Sequence, residues 1–468
     1  QRRARGGICT RADYRLLMYM YRQQLLQPNV IQYRRVGMWA PEASTLQSSE
    51  ASASVDIEVQ LHRTSSENAG AIQLLVFHSS ALRLIGADAY GADNPRIYCC
   101  SAELEARAVS GCNRAGHMIV KRDDERGEAS SPVWIRDVDF APNATDASLR
   151  TRVSVLRSGV YYLLFSSCDF DTGDVLISGH TIWQNPYGYL PGELYPFLPF
   201  FGLMCIAYAV LGCVWLALCI RHRPVLLPLQ SHIGGVLLLG LVETGVWYLD
   251  YKSFNGGGIR GVAPVILGVL VSTSKKTLSR LLVLAVCLGY GVVRPTLGNV
   301  AYRVLLFGVV YFVFSAVLDV AANVSQLSAV SVPLRLCFIL PVAVLDAFFY
   351  WWVFSGLTRT LGQLTTRRQS AKLQLYRRFS YILIASIIAS GMWVAWQMLV
   401  IVTGSLDARW DSLWTFDAFW HLLYFSILLS ICYMWSPSKS NLQYAYMDEL
   451  GQEEEEEEEV DLPSERNL

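Results

Sequence analysis

The C-terminal half of the chain consists mainly of apolar runs that are long enough to cross a bilayer. They follow one another from Tyr195 to Trp435 with short polar breaks, and about 20 residues suffice for one crossing. With 468 residues, of which 53% are hydrophobic, the chain does not have the composition of a single soluble domain. The predicted spans are Tyr195–Ile220, Leu229–Tyr251, Gly261–Val293, Ala301–Val320, Val332–Leu357, Phe379–Val402 and Trp414–Trp435.

Charge interrupts the third of these runs. The segment from Ser272 to Arg280 divides it into two apolar halves, each too short to cross alone. Two cues indicate that the run nevertheless crosses once. The glycosylation acceptor patterns at Asn143 and Asn323 lie on one side only if four crossings separate them, and the basic loop residues gather on the opposite side. The sequence therefore predicts seven crossings over residues 195–435, with a lumenal N terminus and a cytosolic tail.

The region before residue 184 has the pattern of a soluble domain rich in strands. Several runs of Val, Ile, Tyr and Phe alternate with polar residues, and turn-forming clusters separate them. Six or more strands in roughly 150 residues predict a lumenal β-sandwich over residues 51–183. Residues 1–50 stay unassigned. The predicted strands are Val55–His62, Ala71–His78, His117–Lys121, Val133–Phe140, Arg150–Phe165 and Val175–Trp183.

The N terminus bears on the compartment of this domain. A lumenal domain requires a signal sequence, and the chain opens at Gln1 rather than at Met. We therefore expect that a signal peptide has been removed or precedes this numbering.

Five cysteines lie in the strand-rich region, at Cys9, Cys99, Cys100, Cys112 and Cys168. A secretory lumen permits disulfides, and the nearest pairing joins Cys112 to Cys99 or to Cys100. Because the number is odd, at least one thiol is left over or paired elsewhere. A zinc site is the alternative, which the lack of paired cysteine spacing disfavours. We expect neither a metal nor a cofactor.

A dense run of proline, glycine and aromatic residues joins the two regions at residues 184–200. Its prolines prevent a continuous helix, and Gly188 and Gly192 permit sharp turns. Its aromatic rings are of the kind found at membrane–water interfaces. We interpret the run as a rigid hinge, and a linker with incidental aromatics is the alternative. The candidate hinge residues are Trp183, Asn185, Pro186, Tyr187, Gly188 and Tyr189.

Residues 436–468 form a predicted cytosolic tail that contains seven consecutive glutamates, Glu453–Glu459. A run of this kind indicates a solvated end of the chain. Tyr444 and Met447 fit the Tyr-x-x-apolar pattern that sorting adaptors bind as an extended peptide, although such a short pattern arises often by chance.

Six ionisable side chains lie inside the predicted spans, where each is energetically costly and is therefore a functional candidate. Lys276 and Arg280 are four residues apart and share a helical face, with Lys275 beside them. These three cations would repel one another unless carboxylates or lipid phosphates neutralise them. The structure could use them as charge pairs that fix helix packing, as a cavity for a lipid headgroup, or as an ion pathway. The six residues are Glu243, Lys275, Lys276, Arg280, Asp319 and Asp346.

Catalysis and nucleic-acid binding find no support in the sequence. It has no Gly-x-Ser-x-Gly elbow, no phosphate-binding loop and no histidine cluster at metal-ligand spacing. It also has no basic patch interleaved with aromatics. We expect a protein that is not an enzyme and that works in the membrane.

The chain resembles the GOLD-domain seven-transmembrane (GOST) proteins, also called the lung seven-transmembrane receptor group, and is most similar to their transmembrane protein 87 branch. The likeness is strong from Trp183 onward and loose between Val55 and that residue. The stretches that carry it are Trp183–Pro191, Glu243–Tyr251, Lys275–Leu282, Leu288–Gly291 and Trp414–Leu422.

The resemblance implies a GOLD-like sandwich and a seven-helix bundle in the Golgi membrane, cycling through endosomes. It implies traffic between endosomes and the Golgi. In that setting we expect retrograde transport to the Golgi, with a lumenal protein or a phospholipid in a bundle cavity as ligand and sorting adaptors at the tail. Some members of the family are proposed to conduct cations, so a channel or a regulator of Golgi ion balance is the alternative. A receptor resembling those coupled to G proteins is the second alternative, but Gly289–Arg294 replaces the Asp-Arg-Tyr element expected there.

Overall fold

The computed structural model describes residues 18–26, 31–40, 53–63, 69–88, 96–121, 133–169, 172–223, 226, 228–290, 298–323, 332–366, 370–404 and 409–437. The sorting candidates Tyr444 and Met447 lie outside these residues, as do Cys9 and the side chain of Asn323. The chain forms two compact units. Unit 1 comprises Gln1–Leu198, Asp250–Gly261 and Val400–Thr415, and unit 2 comprises Pro199–Leu249, Val262–Leu399 and Phe416–Leu468.

The described residues of unit 1 form two antiparallel sheets of four strands each. Their orders are β1-β8-β3-β6 and β2-β7-β4-β5, so each sheet combines strands from distant parts of the sequence. This arrangement confirms the predicted β-sandwich. The strands are β1 (Met18–Leu26), β2 (Ile31–Met38), β3 (Ser54–Arg63), β4 (Gly70–His78), β5 (Val133–Phe140), β6 (Asp146–Ser154), β7 (Gly159–Ser166) and β8 (Val175–Gln184), with a short helix α1 (Ala102–Ala106) between β4 and β5.

Strand β3 illustrates why this sequence forms a half-buried sheet. Its residues alternate between the two faces, with Val59 and Leu61 buried and Glu58 and His62 exposed. The outward residues meet polar partners on β6, where His62 lies 2.8 Å from Asp146. Hydrogen bonds from His62 and from Thr145 hold the pKa of Asp146 below its ordinary value.

Three details of the strand prediction differ from the structure. Strands β1 and β2 fall in the segment that the sequence analysis left unassigned, and they pair with β8 and β7. The run Arg150–Phe165 is divided between β6 and β7 by a turn. The predicted strand His117–Lys121 is wrong, because Met118 and Val120 form only isolated bridges to Cys99 and Ile85.

Two disulfides stabilise the loop region between β4 and β5. Cys112 is joined to Cys100, which is one of the two predicted pairings. Cys99 is joined to Cys168, a pairing that sequence spacing did not indicate. The zinc alternative is wrong for these four cysteines because their sulfurs are bonded to one another.

In the part of the chain that the structure describes, seven long helices follow. They are α2 (Phe197–Arg221), α3 (Pro228–Gly257), α4 (Val262–Cys287), α5 (Asn299–Asn323), α6 (Val332–Thr366), α7 (Ser370–Val402) and α8 (Thr415–Met434). Within the described residues, six of them are long and apolar enough to cross a membrane. The exception is α4, whose mid-helix charges lower its hydropathy. Its 26 residues form one uninterrupted helix, about 39 Å long at 1.5 Å per residue, so charge does not divide it.

Candidate functional site within the helix bundle

Helix α4 directs its three cations toward two sides. A residue advances about 100° around an α-helix, so Lys276 and Arg280 lie within about 40° of each other, while Lys275 lies about 100° from Lys276. Each cation meets a carboxylate from a different helix: Lys275 meets Glu243 of α3, Lys276 meets Asp319 of α5, and Arg280 meets Asp346 of α6. The three carboxylates named from sequence are therefore the partners of the three cations.

The pair Lys275–Glu243 is the buried one. Their side chains are 4% and 1% exposed, and the Lys275 ammonium contacts Glu243 Oε2. The other carboxylate oxygen of Glu243 accepts a hydrogen bond of 2.6 Å from the Ser272 hydroxyl. Since an unpaired charge in such surroundings is strongly disfavoured, each member of this pair depends on the other.

Aromatic rings enclose the Lys275 ammonium. It lies 4.3 Å from the centre of the Tyr424 ring of α8 and 5.9 Å from that of Tyr208 of α2. Cation–π attraction of this kind compensates part of the lost hydration. The Tyr424 hydroxyl also hydrogen-bonds with Ser279, one turn after Lys275 on α4. Four helices, α2, α3, α4 and α8, thus meet around one ammonium group.

The pair Lys276–Asp319 is the most open one. The Lys276 ammonium lies 3.3 Å from Asp319 Oδ2, and the two side chains are 49% and 27% exposed. The same carboxylate oxygen accepts a hydrogen bond of 3.1 Å from Thr273. A charged side chain left half-exposed on a membrane helix must be hydrated or must contact a polar headgroup.

The pair Arg280–Asp346 is intermediate, with side chains that are 26% and 32% exposed. The Arg280 guanidinium also lies 4.4 Å from the centre of the Tyr311 ring and 5.7 Å from that of Phe349. Packing of the guanidinium on these rings fixes its orientation beside the carboxylate.

Together the six side chains form a polar site of zero net charge, which we call the α4 charge cluster. Its two open pairs each present one cation and one anion, so the cluster provides hydrogen-bond donors and acceptors side by side. Such a site suits a ligand that carries both charges, because each charge of the ligand then finds an opposite one.

Several residues that contact the α4 charge cluster were not identified from sequence. Ser272 and Thr273 could have been found, since each lies three residues before a lysine and therefore on its helical face. Tyr208, Tyr311 and Tyr424 could not, because a tyrosine in an apolar span has no sequence signal that separates it from ordinary packing residues.

The hinge candidates form an ordered network within unit 1. Asn185 accepts a hydrogen bond from the Trp39 amide (2.9 Å) and donates one to the Leu190 carbonyl (2.8 Å). Asn255 donates to the Tyr187 carbonyl (2.9 Å) and accepts from the Leu190 amide (3.1 Å). The two asparagines therefore hold the turn at residues 185–190 from both sides.

Packing adds to these hydrogen bonds. Trp183 is fully buried. Gly188 has a φ of +133°, and a Cβ there would lie 2.6 Å from the Asn255 carbonyl oxygen, so only glycine fits. The Tyr187 and Tyr195 rings stack at 3.8 Å, and burial raises the pKa of Tyr187 above its ordinary value, which keeps the hydroxyl protonated. Pro186 and Tyr189 complete the same turn.

Comparison with known proteins gives the family context. A family model for the GOST seven-transmembrane domain matches residues 196–442. Transmembrane protein 87B of Mus musculus is 32% identical over 332 residues, which cover 71% of this chain and 59% of that protein. Transmembrane protein 87A of Xenopus tropicalis is 36% identical over 276 residues, or 59% of this chain and 50% of the relative.

A fungal relative is more distant. Membrane protein PTM1 of Saccharomyces cerevisiae (strain YJM789) is 29% identical over 282 residues, which cover 57% of this chain and 53% of that protein. The chain thus spans between half and three-fifths of the length of these curated relatives.

Proposed function

Because this chain belongs to the GOST seven-transmembrane family, we propose that it is a Golgi membrane protein acting in retrograde transport from endosomes. In this proposal the N terminus is lumenal, Asn143 carries a glycan and the tail is cytosolic. The exposed position of Asn143, in a turn after β5, supports access for a glycosylating enzyme. The setting itself rests on the resemblance to the transmembrane protein 87 branch.

The bundle, in this proposal, binds the headgroup of a phospholipid at the α4 charge cluster. The observation that carries this step is the half-exposed pair Lys276–Asp319 beside the partly exposed Arg280–Asp346. A zwitterionic headgroup would direct its phosphate to Lys276 and Arg280 and its ammonium to the two carboxylates. This arrangement leaves no charge without a partner.

Measuring the lipid that co-purifies with the protein tests this binding. The double variant Lys276→Ala/Arg280→Ala should lose most of the bound phospholipid, quantified per protein by mass spectrometry after extensive detergent washing. Arg221→Ala/Arg223→Ala is the matched control, since it removes two cations from the end of α2, and should retain the lipid. Equal lipid content in the wild type and the first variant would refute the proposal.

The transport part has a separate test. Deletion of the tail from Asn441 should move the protein away from the Golgi and slow the return of endosomal cargo, and Tyr444→Ala should reproduce that effect if a sorting adaptor reads this motif. An unchanged location and unchanged cargo return in both variants would show that the tail does not sort the protein.

A cation pathway is the second candidate function, and one observation favours it. The α4 charge cluster places polar groups along a membrane helix from Ser272 to Arg280. However, a free cation that approaches Glu243, Asp319 or Asp346 also meets the cation of the protein paired with each of them, and it brings no anion to offset that repulsion, whereas a zwitterionic headgroup brings its phosphate. We therefore place lipid binding first.

A further inference from the structure

One end of unit 2 carries a set of exposed arginines. We call it the tail-side end, because α8 terminates there and the tail follows. These arginines lie near the ends of α2, α5, α6 and α7, and all of them are exposed. Within the described part of the chain, no carboxylate forms an ion pair with any of them. They are Arg221, Arg223, Arg303, Arg359, Arg377 and Arg378.

The sequence segments that contain or adjoin these arginines also lack acidic residues. In the sequence, the segments that connect α2 to α3, α4 to α5 and α6 to α7, taken with the adjoining helix residues as 221–228, 288–303 and 357–379, contain no aspartate or glutamate. The six arginines therefore repel one another with no carboxylate from these segments to neutralise them.

Direct contacts show that the start of the tail lies at this end. The Gln230 side chain at the beginning of α3 donates a hydrogen bond of 3.1 Å to the Trp435 carbonyl. The Trp435 ring packs against Phe379 and Tyr376 of α7, with ring centres 5.3 and 6.5 Å apart. Arg377 and Arg378 are neighbours of these two aromatic residues in α7. The chain thus leaves the bundle beside the arginines.

The length of two helices brings the arginines clear of the bilayer. Helices α6 and α7 have 35 and 33 residues, or about 50 Å each, whereas the hydrocarbon core is about 30 Å thick. Since charged residues avoid hydrocarbon, the part that carries Arg359, Arg377 and Arg378 is the part that extends beyond it.

The tail has the opposite composition. Residues 438–468 contain eleven acidic residues and two basic ones, and seven of the acidic residues form the run Glu453–Glu459. Fifteen residues separate Pro437 from Glu453, and at about 3.3 Å per residue they reach about 50 Å. Because helices are about 10 Å in diameter, this length suffices to bring the run to any of the six arginines.

We propose that the acidic run Glu453–Glu459 docks on the six arginines at the tail-side end of its own bundle. Attachment to the same chain gives the run an effective concentration in the millimolar range, which favours it over a free acidic partner. Docking neutralises the arginines and covers them, so that anionic lipid headgroups and acidic proteins reach them only when the tail is displaced. This inference does not depend on the proposed lipid site of α4.

A competition experiment with the full chain tests the proposal. The protein is reconstituted singly in nanodiscs of phosphatidylcholine, and the probe is a fluorescent peptide with the sequence of residues 448–462. The peptide should bind at least tenfold more tightly to a variant in which the seven glutamates are replaced by glutamine than to the wild type, because only that variant leaves the arginines uncovered. Adding Arg377→Gln and Arg378→Gln to the seven-glutamine variant should abolish the gain.

The matched control removes two arginines elsewhere. Arg150→Gln and Arg152→Gln, on β6, should leave peptide binding to the seven-glutamine variant unchanged. Equal peptide affinity for wild type and the seven-glutamine variant, or no binding to either, would overturn the proposal. If the difference disappears when phosphatidylserine is added to the nanodiscs, the anionic lipid displaces the tail, and exclusive occupancy by the tail is then wrong.

Discussion

The helix bundle has two charged regions, the α4 charge cluster and the arginines of the tail-side end, and they differ in how their cations are neutralised. In the α4 charge cluster, each cation contacts a carboxylate of a neighbouring helix. At the tail-side end, the exposed arginines have no such partner among the described residues. The difference follows from the medium. A charge within the bilayer must be neutralised where it lies, whereas a charge in water is hydrated and remains available to another segment or molecule.

The largest effect is expected at the buried pair. Glu243→Gln leaves the Lys275 ammonium without its counter-charge and should lower the free energy of unfolding by about 3–5 kcal/mol. Adding Lys275→Met should recover most of that loss, because the buried charge is then removed. Thermal unfolding, monitored by tryptophan fluorescence, measures the free energy of unfolding of the single and the double variant. Glu103→Gln, at an exposed pair on α1, is the control and should have little effect. Equal loss in the single and double variants would contradict the pairing.

Arg280→Gln should lower the free energy of unfolding by about 1–2 kcal/mol. This loss is intermediate because the pair Arg280–Asp346 is only partly exposed, and the contribution of such a pair to stability lies between those of buried and surface pairs. Arg280→Lys keeps the charge but loses part of the packing on Tyr311 and should cost about 1 kcal/mol or less. The same unfolding assay separates the two. If Arg280→Lys lowered the free energy of unfolding as much as Arg280→Gln does, the positive charge of Arg280 would not be the source of its stabilising contribution.

Lys276→Gln should change the free energy of unfolding by less than about 1 kcal/mol, since its pair with Asp319 is the most exposed. The order of the losses for Glu243→Gln, Arg280→Gln and Lys276→Gln should therefore follow burial. An effect of Lys276→Gln as large as that of Glu243→Gln would contradict this order.

The smallest change in stability is expected at the tail-side end. Arg377→Gln/Arg378→Gln should alter the free energy of unfolding by about 0.5 kcal/mol or less.

High salt should distinguish the tail-side arginines from the buried pair Lys275–Glu243, because the Debye length falls from about 10 Å at 0.1 M to about 3 Å at 1 M. Peptide binding to the seven-glutamine variant should be lost at high salt, while the loss caused by Glu243→Gln should stay the same. Salt-resistant peptide binding would contradict an electrostatic docking site.

Local patterns in the sequence predicted the elements whose signal is local. The alternation of β3 and the apolar runs of the helices are read within one element, and both predictions hold. Strands β1 and β2 were missed because their pairing with β8 and β7 joins residues more than 100 positions apart. The Cys99–Cys168 disulfide was missed for the same reason, since 69 residues separate its cysteines.

In the candidate site, too, contacts between residues distant in the sequence could not be predicted. The six charges could be named from sequence because ionisable residues are rare in membrane spans, and the need for carboxylate partners followed from electrostatics. Which carboxylate pairs with which cation could not be predicted, because the answer depends on which helices are neighbours. The degree of exposure, which distinguishes Lys275 from Lys276 one residue later, likewise depends on the packing of α3, α5 and α8.

The central claim is that the α4 charge cluster is neutral and that its carboxylates are occupied by the protein's own cations. Cation flux into proteoliposomes tests it most directly, comparing empty vesicles, the wild type and the variant Lys276→Gln/Arg280→Gln, with folding of each verified. We predict that the wild type conducts no more than empty vesicles. A cation flux in the wild type that the double substitution abolishes or alters would contradict the claim and identify the cluster as an ion pathway.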